Sequence, residues 1–84
     1  MIHLLDKILP GYSYGIYHGK KYGISRSDFN NGKSTKIYAE ELAGTDFVSL
    51  NVYVTNTEIL LKPCEMPEEK VLDFLQNVSI INNE

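Results

Sequence analysis

LLKPCEMPEEKVLDFL, residues 60–75, contains the junction that decides the fold. An apolar run ends at Pro63 and Cys64, and a second proline, Pro67, stands where a helix begins. Proline suits a first helical position, since its missing N–H has no intrahelical partner to lose there. Glu68 and Glu69 follow in the turn where the helix dipole favours negative charge. Val71, Phe74, Leu75 and Val78 then fall at i, i+3, i+4 and i+7, which makes one apolar stripe for docking on a sheet. The spacing predicts a helix over residues 67–78.

Upstream of that junction the hydrophobic period is two. Tyrosines, isoleucines and valines between breaks containing glycine and asparagine describe short strands near 12–18, 21–27, 34–41, 46–55 and 57–62. His18-Gly19-Lys20 and Thr55-Asn56-Thr57 read as tight turns, and DFNNG (28–32) and LAGTD (42–46) as longer ones, so neighbouring strands are antiparallel. In the clearest strand, Phe47 to Thr55, Val48, Leu50, Val52 and Val54 alternate with Ser49, Asn51 and Tyr53, and the first set faces the core. Extending the alternation assigns Tyr14, Ile16, Tyr22, Ile24, Ile37 and Ala39 to the core side. Gly15, Tyr17, Gly23, Ser25, Tyr38, Ser49, Asn51 and Tyr53 fall on the second side. At the N-terminus Ile2, Leu5, Ile8 and Leu9 recur at near-helical spacing before Pro10-Gly11, which predicts a short helix over 2–9. The expected architecture is α+β, an antiparallel meander of about five strands with a short N-terminal helix and a C-terminal helix packed on the sheet.

The chain has 84 residues, 43% of them hydrophobic and 23% charged, which suits one globular domain over 1–84 with a modest core. A single cysteine excludes an intramolecular disulfide and suits a reducing compartment, so the expected location is the cytoplasm. No segment approaches the length of a membrane span, and MIHLLDKIL has neither the basic start nor the cleavage site of a signal peptide. The net charge of −3 argues against gripping nucleic acid by bulk electrostatics, although Lys20, Lys21, Arg26, Lys33 and Lys36 cluster in one segment.

Few residues carry a chemical signal. Cys64, near a helix start, is a candidate nucleophile, but Glu65, Glu68 and Glu69 disfavour its thiolate and no second cysteine can resolve a disulfide. NGKST (31–35) ends like a phosphate loop, yet Ser27 stands where the pattern needs glycine and a strand follows in place of a helix. The same loop lacks the twelfth-position glutamate of a calcium site. His3 and His18 match no metal spacing, and Glu40 and Glu41 point to opposite sides of a strand. No cofactor or metal is expected. The six tyrosines are more informative, because Tyr17, Tyr38 and Tyr53, with Asn51 among them, form a candidate binding face on the second side of the sheet.

YAEELAGTDFVSLNVY (38–53) together with LLKPCEMPEEKVLDFL (60–75) resembles a family of small bacterial proteins of about this length, often labelled peptide methionine sulfoxide reductase. The resemblance extends to YHGKKYGISRSDFNNGKSTKIYAEE. It implies a thiol-dependent reductase with Cys64 as the nucleophile. The residues themselves point instead to a small binding module acting through a sheet face or edge, with a homodimer or another protein as partner.

Overall fold

The computed structural model describes residues 2–81. It is an α+β structure with one antiparallel sheet. Helix α1 (Ile2–Asp6) leads into β1 (Gly11–Tyr17), β2 (Lys20–Phe29), β3 (Ser34–Glu41), β4 (Phe47–Val54) and β5 (Ile59–Pro63). Helix α2 (Glu68–Asn77) and a short strand β6 (Ser79–Ile81) complete the order. The sheet runs β5-β4-β3-β2-β1-β6, so five strands form a meander and α2 carries the chain from one edge to the other. That diagonal course places α2 across a single face of the sheet.

The stripe predicted for α2 is the one that packs. Val71, Phe74 and Leu75 are fully buried and Val78 nearly so. They meet Ile24, Ile37, Ala39, Val48, Leu50 and Val52 from the inner strands. Pro67 serves as the N-cap, in extended backbone, and Glu68 is the first helical residue. Val78 is also extended, and its N–H donates to Phe74 O in the last turn before β6. The N-terminal helix stops at Asp6, short of the expected Leu9. Ile8 nevertheless reaches the core, whereas Leu9 is exposed. Two cations fasten this segment. The Arg26 guanidinium donates to the carbonyls of Leu5 (3.0 Å) and Ile8 (2.7 Å). Lys7 Nζ donates to Val78 O at 2.9 Å, just past the C-terminus of α2 where the dipole favours positive charge.

Two expectations need correction. Val54 is exposed, because it lies at the end of β4 beyond the reach of α2. More consequentially, β1 faces the opposite way from the sequence reading. The turn consists of His18 and Gly19 alone, so Tyr17 pairs with Lys20 and Gly15 with Tyr22. Tyr17 and Gly15 therefore share the core side with Tyr22, while Tyr14 and Ile16 lie on the other side. A three-residue turn would have paired Ile16 with Tyr22, and a shift of one residue exchanges the faces of a whole strand. Gly15 is required on the inner side. A Cβ there would come within 2.8 Å of Val78 Cγ2 and 3.2 Å of Ser79 O, preventing β6 from closing on β1.

Phe74 sits at the centre of this packing, with Tyr17 and Tyr22 edge-on at ring-centroid distances of 5.0 and 5.8 Å. Phe74→Ala is expected to lower unfolding free energy by about 3–5 kcal/mol in urea titration. Wild-type stability in that variant would show that α2 does not hold the core together.

Candidate functional site

Among the described residues no helix lies over the face of the sheet opposite α1 and α2. The backbone register arranges its side chains in rows across the strands. One row runs Tyr12, Ser25, Tyr38, Ser49. On one side of it lie Ser27, Lys36, Asn51 and Lys62, and on the other Gly23, Glu40 and Phe47. Tyr12 is 59% exposed, Tyr53 41% and Tyr38 39%, values that mark large side chains lying on an open surface. Yet Ser34, Ser49 and Gly23 on this same face are buried. Asn30 Nδ2 donates to Ser34 Oγ at 3.0 Å. A Cβ on Gly23 would collide with the Tyr12 hydroxyl, so glycine there lets the Tyr12 ring lie on the sheet. Tyr12 meets Tyr14 edge-on at 5.3 Å, Lys21 Nζ stands 4.6 Å above the Tyr14 ring, and Tyr38 stacks with Phe47 at 6.2 Å.

Of the residues singled out in the sequence, Tyr38, Tyr53 and Asn51 lie on this face. Tyr17 does not: it is 6% exposed on the core side, for the register reason given above. Tyr12, Tyr14 and Phe47 join the face in its place. Cys64 lies at the border of the face, half-buried. Its N–H extends the ladder to Ser49 O (2.9 Å), and Asn51 Nδ2 donates to its sulfur at 3.4 Å. A hollow of about 440 Å³ beside it is lined by Lys36, Tyr38, Phe47, Ser49, Cys64 and Glu65.

The basic segment does not form a patch. Arg26 is engaged with Asp28 and the carbonyls under α1, Lys20 stands 3.5 Å from Glu41, and Lys21 covers Tyr14.

The helix side holds a second polar constellation that the sequence reading missed. A cleft of about 560 Å³ lies between the β1–β2 turn, the loop after β3 and α2. The Tyr17 hydroxyl donates to Asp73 Oδ2, which also lies 2.9 Å from His18 Nε2, and Asn77 Nδ2 donates to Asp73 Oδ1 at 2.8 Å. The Tyr22 hydroxyl donates to Asp46 Oδ2 at 2.7 Å, and Lys70 Nζ donates to Asp46 Oδ1. Burial, reinforced by the bond to Asp73, pushes the Tyr17 phenol up to about 12. Burial also raises the Tyr22 phenol. The Lys70 hydrogen bond lowers the Asp46 carboxyl, and the Tyr17 hydrogen bond does the same for Asp73. The phenols are thereby held as donors and the carboxylates as acceptors. These bonds tie α2 to the hairpin and to the loop, and the described residues lining the cleft include no serine or cysteine. Among the described residues no group of three or more His, Cys, Asp or Glu could hold a metal ion.

No family model, no curated protein and no solved structure matches this chain.

The clasp gives stability a pH dependence with a defined sign. A lowered carboxylate contributes stability that is present above its unfolded value of about 3.9 and lost as pH falls through the folded value. A raised phenol contributes stability that is present below its unfolded value of about 10 and lost as pH rises through the folded one. Unfolding free energy measured against pH should therefore fall on both sides. Asp46→Asn should flatten the acid limb, and Tyr17→Phe should weaken the loss between pH 10 and 12. Identical limbs in wild type and variants would mean that the clasp does not contribute.

Proposed function

We propose that this protein is a small binding module whose working surface is the open sheet face and whose occupant is a second copy of the chain. One observation carries the reading: both helices lie on one side of a six-stranded sheet, and the other side presents Tyr12, Tyr38 and Tyr53 to solvent. Aromatic surface of this kind marks interaction sites, and tyrosine pairs a broad apolar ring with a polar tip. Area supports the choice of occupant. The molecule is a slab of 38 × 31 × 17 Å, so its broad face exceeds the ~800 Å² per partner of a standard interface. The sheet edges are poorer candidates, because β6 has only three residues and β5 ends in Pro63, which has no N–H to offer a further strand.

The alternative is a thiol-dependent reductase using Cys64. The placement of its sulfur beside a hollow favours that reading, while the lack of a second cysteine weakens it. A free thiol suits a reducing compartment such as the cytoplasm under either reading. No helix among the described residues is long and apolar enough to cross a membrane.

Light scattering over a concentration series is expected to show a monomer–dimer equilibrium. Tyr38→Ala should weaken it by about tenfold or more, as truncation of a central aromatic anchor does. A molecule that stays monomeric at the highest concentration reached would remove the self-association reading. Cys64→Ser is expected to fold and to associate like the wild type. Turnover of methionine sulfoxide with dithiothreitol, abolished in that variant, would establish the reductase instead.

A further inference from the structure

We propose that the dimer is built on a twofold axis along the row Tyr12, Ser25, Tyr38, Ser49, so that Lys36 of each copy meets Glu40 of the other. The inference rests on the self-association proposed above and specifies its geometry. Sheets packed face to face keep their strands within about 30° of alignment, and a closed dimer uses the same patch on both copies. The twofold axis must then lie in the interface, either along the strands or across them.

Charge bears on the choice, since some of these axes set like charges together and one pairs the unlike charges of β3. Lys36 and Glu40 project from β3, an inner strand, two residues to either side of Tyr38. Both are exposed, and neither takes part in an ion pair among the described residues. Four residues apart on one strand, they are separated by about 13 Å and cannot reach each other within the chain. An axis along β3 would stack Lys36 on Lys36 and Glu40 on Glu40. An axis along the Lys36 row or the Glu40 row would likewise set one of these residues against its own copy. Like charges so placed strongly disfavour association.

The Tyr38 row avoids every such contact. Rotation about it exchanges the rows on either side, which brings Lys36 over the second copy's Glu40 at two symmetry-related places. The same rotation sets Gly23 against Ser27, Phe47 against Asn51, and Lys21, whose ammonium stands over Tyr14 of its own chain, against Phe29. Tyr38 lies on the axis and meets itself. Lys62, on edge strand β5, extends its amine to water at the rim.

Charge reversal tests this register. Sedimentation equilibrium would be run on wild type, Lys36→Glu, Glu40→Lys, the double variant and an equimolar mixture of the two single variants. Each single variant should weaken dimerisation by at least about tenfold, because it creates two like-charge contacts. The double variant should recover near wild-type association. The mixture should form a heterodimer tighter than either homodimer, since one chain then carries two acids and the other two bases at the paired positions. A dimer indifferent to both single changes, or a double variant weaker than either single one, overturns this axis and leaves self-association standing. A wild type that remains monomeric overturns self-association and the axis together. Circular dichroism of each variant serves as the folding control.

Discussion

His18 and Gly19 turn β1 back onto β2 with positive φ at both positions, 52° and 77°. This is the backbone of a two-residue type I′ hairpin, whose twist matches that of the strands it joins. The length of that turn fixes what β1 contributes to each face. With Tyr17 opposite Lys20, the ring of Tyr17 enters the core against Phe74 and its hydroxyl reaches Asp73. With Gly15 on the same side, Val78 can approach β1 and the chain can add β6. Tyr14 and Ile16 are left on the open face as the other half of the same alternation.

The second constraint is the amount of helix. Two helices of 5 and 10 residues cannot cover both sides of a six-stranded sheet. The fold concentrates them on one side. There α2 buries its apolar stripe, Lys7 caps its end and Arg26 anchors the N-terminal segment. Ion pairs and hydrogen bonds on that side are largely internal, joining elements distant in sequence. On the open side Lys36 and Glu40 remain outside such pairs among the described residues.

The helix stripe, the antiparallel meander and the alternation of β3 and β4 were legible in the sequence, because each rests on a period that many residues share. Tyr38, Tyr53 and Asn51 were placed correctly for that reason. The face of β1 was not legible, since it depends on whether the turn has two residues or three, and His18 at positive φ leaves no pattern in a single sequence. That error moved Tyr17 to the wrong side and hid Tyr12 and Tyr14. Strand β6 was missed because three residues are too few to establish a period. The clasp was hidden too: Tyr17 and Asp73 are 56 residues apart, and only the register and the diagonal path of α2 bring them together.

The composition of the open face bears on the kind of association it supports. An obligate interface resembles a core cut in half, whereas exchangeable interfaces mix apolar and polar surface. Here Ser25, Ser27, Asn51 and three lysines are interspersed with the aromatic rings. Burying such a face permanently would strand hydroxyls and ammonium groups unless each met a partner. The Tyr12 ring already lies against Gly23 in the isolated chain, so the sheet backbone at that position is covered without a second copy. Association through this face, as proposed, would gain from desolvating the outer surfaces of the rings and would have to match the remaining polar groups in register, which gives position more influence than area.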